Sequence, residues 1–152
     1  MIPHIEKSVT VPLSVDQAFD LFTGDIAKWW PGETHSLSAS TGERPVDIEV
    51  DPRLGGKITE TCADGTRKPW ATITAWEPGA RLSLDWYVGR DPREATQIDV
   101  QFVAVAIGTR VDLTHSGFDR LAGGQTVAMG YQTGWDSVLG TCFGGYCLKR
   151  AA

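Results

Sequence analysis

His115, Glu60 and a set of tryptophans are the side chains of this 152-residue sequence whose types and phase could hold or transform a ligand. Residues Thr109 to His115 alternate, with Val111 and Leu113 inward, so His115 points inward at the end of a strand. Glu60 shares the phase of Ile58 and Cys62 on its own strand. An imidazole and a carboxylate reaching one cavity would make an acid/base pair or a polar anchor. The structural alternative for His115 is a hydrogen bond that closes the sheet beside Ser116. His35 lies in Gly32-Glu33-Thr34-His35, on a loop flanked by Trp29-Trp30, where it reads either as part of a lid or as an exposed loop histidine.

Six tryptophans are present. Trp70, Trp76, Trp86 and Trp135 fall on strands or on a terminal helix, while Trp29 and Trp30 precede the loop. Flat apolar side chains suit a pocket for an aromatic or polycyclic molecule, although core packing alone accounts for any one of them. Trp86, Phe102 and Trp135 have inward phases and are the expected lining, with Trp29, Trp30, Trp70 and Tyr131 alongside. Zinc needs three or four ligands, and His4 is expected to face solvent, so no metal and no cofactor is expected. The sequence has no Gly-x-Ser-x-Gly elbow, phosphate-binding loop or dinucleotide fingerprint. Asp85 and Asp112 have outward phases, which does not support paired-carboxylate catalysis. Cys62, Cys142 and Cys147 match no redox or zinc spacing and read as small buried hydrophobes.

These residues need elements to position them. His4 to Val11 alternates as a half-buried strand ended by Pro12. Ser14 with Gln17 forms a capping box for a short helix with Ala18, Leu21 and Phe22 inward. Asp25 is expected to cap a second short turn through Trp29 and Trp30, stopped by Pro31-Gly32. Residues 31–45, rich in Gly, Ser, Thr and Pro, read as one long loop, a feature more often functional than idle. Strands follow over 46–50, 56–62, 70–76, 81–88, 96–106 (Ile98, Val100, Phe102 and Ala104 on one face) and 109–115. From Gln125, Ala128, Tyr131, Trp135, Val138/Leu139, Cys142 and Tyr146 recur at helical spacing. Interior glycines there, each costing about 1 kcal/mol of helix propensity, either break the helix near Gly144-Gly145 or permit close approach to the sheet. The order demands one curved antiparallel sheet burying the face of a long C-terminal helix, in one α+β domain over residues 1–152.

Composition narrows the function. The net charge is −5 with scattered Lys and Arg, which argues against nucleic acid and against a polybasic membrane anchor. No apolar run approaches the roughly 20 residues of a spanning helix. The alternating, charged start does not read as a signal peptide, and no Asn is present to carry a glycan, so a cytoplasmic protein is expected.

Several motifs in order resemble a known family: Trp29-Trp30-Pro31 with Thr34-His35-Ser36; Gly55-Gly56 leading into Glu60 and Asp64-Gly65; Trp76-Glu77-Pro78 before Arg81-Leu82 and Trp86; Gly108-Thr109-Arg110-Val111 before Leu113-Thr114-His115-Ser116-Gly117-Phe118; and Gly134-Trp135 with Leu139. Together they resemble the SRPBCC superfamily, in the group related to activators of the heat-shock-protein-90 ATPase. The resemblance implies a helix-grip fold, similar to START lipid-transfer domains, with a cavity between sheet and long helix that often takes apolar ligands. Relatives include polyketide cyclases, aromatases and drug-sequestering resistance proteins. The true co-chaperones carry a further amino-terminal domain with an Asn-containing motif, which this sequence lacks, so a chaperone partner is not expected.

The reading that follows is a domain binding a small hydrophobic or aromatic molecule between its sheet and its C-terminal helix. One rival is a cyclase or hydrolase using His115 and Glu60 in the same pocket. The other is a chaperone-regulator-like interaction module. The expected partners are that small molecule and, at most, a second copy of the chain.

Overall fold

The computed structural model describes residues 2–151. Seven strands form one antiparallel sheet: β1 (Ile5–Val11), β2 (Asp47–Val50), β3 (Lys57–Thr61), β4 (Arg67–Glu77), β5 (Arg81–Trp86), β6 (Thr96–Val105) and β7 (Gly108–Ser116). Their spatial order is β1-β7-β6-β5-β4-β3-β2. Strands β2 to β7 are a meander, and β1 pairs with the last of them, Ile5 opposite His115. Register shifts between Ile58 and Thr59 and between Ile73 and Ala75 help curl the sheet into a half-barrel.

The helices cover the concave face. Helix α1 (Val15–Gly24) starts at the expected capping box, with Ser14 and Gln17 bonding reciprocally. Its buried stripe is Ala18, Phe19, Phe22 and Thr23; Leu21, expected there, is half-buried, and Phe19 takes its place. Helix α2 (Ile26–Trp29) follows, but Asp25 makes no side-chain cap, because its carboxylate accepts a hydrogen bond from Tyr146 Oη at 2.8 Å. Ala104 is exposed rather than inward, since β6 there leaves the covered part of the sheet.

The C-terminal helix runs unbroken through α3 (Gly124–Trp135), a π-helical stretch (Asp136–Phe143) and α4 (Gly144–Ala151). The wider π turns shift its buried stripe. Beyond Trp135 and Leu139 the fully buried residues are Phe143 and Cys147, while Cys142 and Tyr146, expected inward at ordinary helical spacing, are half-buried. Gly144 lies against β1, where a Cβ would come within 3.1 Å of Val9 Cγ2.

The core holds two aromatic groups, joined where Trp29 meets Trp30 with centroids 5.7 Å apart. Under α1, Phe19, Phe22, Trp29, Phe102 and Phe143 pack mostly edge to face, with centroids 5.0–5.8 Å apart. Under α3, Trp30, Trp70, Trp86 and Trp135 form the other group, with centroids 5.2–6.2 Å apart. No helix among the described residues is long and apolar enough to cross a membrane.

The three cysteines are free, and burial pushes the Cys147 thiol up to about 12. Cys62 is buried, while half-buried Cys142 is the accessible one, its thiol also raised, first by burial and then by Glu33. Because the thiolate is the reacting form, an aromatic disulfide reagent is expected to label Cys142 alone, and slowly, in the native protein. All three thiols should react after denaturation. Rapid labelling of Cys147 in the native state would contradict this packing.

Candidate functional site

A cavity of about 350 Å³ lies between the sheet, α3 and the start of the long loop. Strand β5 contributes Trp86, its last residue, Val88 follows two residues on, and α2 delivers Trp30 as its first residue past the helix. The helix contributes Thr126, Val127, Gly130, Tyr131, Gly134, Trp135 and Val138. The loop contributes Thr34, His35 and Ser36. The glycines of α3 explain why there is space. A Cβ at Gly130 would meet nothing within 4 Å, and one at Gly134 would meet only His35 Nε2, at 3.8 Å. These glycines open a cavity rather than bring the helix closer to the sheet.

Of the residues expected to bind a ligand, Trp30, Trp86, Tyr131 and Trp135 share this wall. Trp29, Glu60, Trp70, Phe102 and His115 do not line it. Phe102 points inward as expected, but α1 covers that part of the sheet, so it packs on Phe19 and Phe22. Trp29 belongs to the same group, its indole N–H donating to the carbonyls of Leu21 and Phe22 at 3.1 and 3.2 Å. Trp70 is fully buried behind Trp30 and Trp86.

Glu60 is buried with no exposure and serves the loop. Its carboxylate accepts from the backbone N–H of Leu37 at 2.8 Å and of Ser38 at 2.9 Å, from the Ser38 hydroxyl and from Trp70 Nε1 at 2.9 Å. Burial alone raises the carboxyl, but those donors together hold it below its ordinary value. The loop thus reaches the cavity as a fixed wall, pinned from β3 through Glu60 and from Trp30, whose Nε1 donates to the His35 carbonyl at 2.6 Å.

His115 is equally committed. Its Nδ1 accepts from Trp135 Nε1 at 3.1 Å, and its Nε2 lies 2.7 Å from Thr96 Oγ1. An Nδ1 that accepts carries no proton, so Nε2–H donates to Thr96, whose hydroxyl donates on to the Trp86 carbonyl at 3.3 Å. Burial pushes the imidazole down to about 3. Neutral His115 sits directly behind the cavity, its ring centroid 4.6 Å from that of Tyr131, and orients Trp135. His115 and Glu60 share no hydrogen-bond partner, and the two do not form an acid/base pair.

The polar residues on the wall are Thr34, His35, Ser36, Thr126 and Tyr131, of which His35 and Tyr131 carry titratable groups. Tyr131 Oη accepts from Trp86 Nε1 at 2.9 Å, which leaves its own proton to donate. Burial raises the phenol, outweighing the Trp86 hydrogen bond and Arg90, so it stays protonated at neutral pH. Phase could not reveal His35, which lies on a loop. A signal for Val127, Gly130, Gly134 and Val138 did exist, since they follow one helical face, with two glycines where side chains would otherwise fill the gap. No cluster of metal-binding side chains occurs among the described residues.

Comparison with known proteins places this architecture. The profile of the family described as "Activator of Hsp90 ATPase homolog 1-like protein" matches residues 12–143. Among solved structures, an anthrahydroquino-γ-pyrone synthase is 34% identical over 84% of this chain and 85% of its own, with a TM-score of 0.60. The self-sacrificing resistance protein CalC from Micromonospora echinospora is 24% identical over 95% and 94%, with a TM-score of 0.65. The Aha1 dimer from Colwellia psychrerythraea is 19% identical over 92% of each chain, with a TM-score of 0.66. Searching the curated proteins finds no match.

Proposed function

The chain belongs to the family of Activator of Hsp90 ATPase homolog 1-like proteins, and from that premise we propose that it binds a flat, largely apolar aromatic molecule in the cavity under α3. The observation that carries this reading is the wall itself: about 350 Å³ of space faced by the rings of Trp30, Trp86, Tyr131 and Trp135. That volume falls in the range of small-molecule sites, roughly 300–1,000 Å³. Binding would come mainly from burying apolar ligand surface, at about 25 cal/mol per Å². His35 and Tyr131 would fix orientation. Turnover of the ligand by ring closure is the second reading, and the 34% identical pyrone synthase favours it over simple carriage.

The test is a fluorescence titration with 1,8-dihydroxyanthraquinone. Saturable quenching of tryptophan emission at one ligand per chain is expected. Trp30→Ala should weaken it at least 10-fold, since a buried aromatic contact of about 2 kcal/mol is removed. Gly130→Phe, which places a ring where a Cβ meets nothing within 4 Å, should abolish it. Quenching that never saturates, or an unchanged affinity in both variants, would refute binding at this cavity.

A further inference from the structure

Among the described residues, one ring nitrogen on the cavity wall, on the exposed His35, makes no hydrogen bond to protein. His35 lines the cavity, and its Nε2 faces α3 at Gly134, where an added Cβ would lie 3.8 Å away. Among the described residues, the hydrogen bonds of the His35 ring involve Nδ1 alone. Nδ1 lies 2.7 Å from Thr34 Oγ1, and that hydroxyl donates to the Pro31 carbonyl at 3.3 Å. A threonine hydroxyl has one proton. Sent to Pro31, it leaves a lone pair facing Nδ1, an arrangement that puts the ring proton on Nδ1 and the lone pair on Nε2 toward the cavity, whereas a hydroxyl proton given to Nδ1 would put the ring proton on Nε2. The backbone holds this aim, because His35 N donates to the Pro31 carbonyl at 2.9 Å and its own carbonyl accepts from Trp30. On the helix wall Tyr131 offers the complementary group, a hydroxyl proton left free by the Trp86 indole.

We propose that His35 is the general base for an intramolecular ring closure in this cavity, acting on an aromatic α,β-unsaturated ketone that carries a phenolic hydroxyl, with Tyr131 hydrogen-bonding the ketone oxygen. The proposal rests on binding at this cavity and on the ring-closure reading above, and adds the base, the donor and the substrate class. His35 Nε2 takes the phenol proton. The oxygen's electron pair forms a C–O bond at the β-carbon of the unsaturated ketone. The C=C π pair moves to give an enolate, whose oxygen Tyr131 holds. The proton on Nε2 then returns to the α-carbon. Substrate and product are isomers, so the step needs no oxidant, reductant or second substrate. Tyr131 acts where negative charge develops, and a preorganised donor is most effective there.

The probe is 2′-hydroxychalcone, which isomerises to flavanone by this same bond formation. The wild-type protein is expected to accelerate the conversion with saturation. His35→Gln should lower kcat roughly 100-fold, and Tyr131→Phe about 10-fold, with little change in chalcone affinity by quenching. His4→Gln, an exposed histidine before β1, should leave the rate unchanged. Long-range proton–nitrogen NMR of the free protein should show His35 with its proton on Nδ1, and Thr34→Val should lose that preference. Saturable chalcone binding with equal rates in wild type and His35→Gln overturns the base while leaving the binding reading intact. A proton on Nε2 in the free protein overturns it as well. Absence of any saturable quenching, by chalcone or by the anthraquinone, overturns both.

Discussion

Glu60→Gln is expected to unfold about 6–12 °C below the wild type and to weaken anthraquinone binding together with it. The buried carboxylate takes hydrogen bonds from Leu37 N–H, Ser38 N–H, the Ser38 hydroxyl and Trp70 Nε1. Gln supplies one acceptor and one NH₂ group in place of two acceptors. Its NH₂ must then face N–H donors that have no other partner. Leaving a buried donor unsatisfied costs roughly 1–3 kcal/mol, more when the lost partner was charged, so about 3 kcal/mol is expected in total. For a domain of this size each kcal/mol moves the Tm by about 2–4 °C. Binding suffers because Leu37 and Ser38 directly follow Thr34, His35 and Ser36 on the cavity wall. The pH dependence has a definite sign. The folded carboxyl titrates below its ordinary value, so its stabilisation is complete above the unfolded value of about 4.3. It is lost as pH falls through the lower folded value. Thermal melts at falling pH should therefore bring wild type and Glu60→Gln together as the folded carboxyl takes up its proton. A variant that melts with the wild type at pH 7 would show that Glu60 does not hold the loop.

The second large effect is acid destabilisation through His115. Its folded imidazole titrates at about 3 because burial disfavours the cation, while an unfolded histidine titrates near 6.5. Between those values the unfolded chain binds the extra proton, so stability rises with pH there and is fully present above about 6.5. It falls by about 1.4 kcal/mol per pH unit, which is about 3 kcal/mol by pH 4.5 and about 5 kcal/mol by pH 3. The window begins two pH units above that of Glu60, so the two separate in one titration. His115→Phe should cost about 2–3 kcal/mol at pH 7, because Trp135 Nε1 and Thr96 lose their partner. It should also flatten the loss of stability between pH 6.5 and 4.5. Urea unfolding at both pH values measures each quantity, and an undiminished slope in His115→Phe would refute a neutral, buried His115.

The strands show how far sequence reasoning reaches. Ile98, Val100 and Phe102 alternate with polar neighbours, and each is buried. The Ser14–Gln17 capping box forms as its spacing requires. Both are local patterns, fixed by a two-residue or a 3.6-residue repeat. Trp30, Trp86, Tyr131 and Trp135 were likewise expected at a ligand site and do share one cavity wall. Phe102 shows where this reasoning ends. Its phase selects the concave face, yet that face is shared between α1 and the C-terminal helix, and alternation carries no information on which helix lies above a given residue.

The two histidines make the same point about chemistry. His115 sits in a strong alternating pattern, and that pattern places it where both ring nitrogens are consumed by Thr96 and Trp135. His35 sits in a loop without periodicity, and the loop returns across the sheet to aim its Nε2 at Gly134. The π-helical stretch likewise moved burial from Cys142 to Phe143, because its wider turns fit Gly144 against Val9 of β1. The faces follow from local pattern alone: which residues turn inward, where helices start, and that one curved sheet must grip a long helix. Which inward residues meet open space depends on how the elements pack, because a cavity is the volume left between elements distant in the chain and no local repeat encodes it.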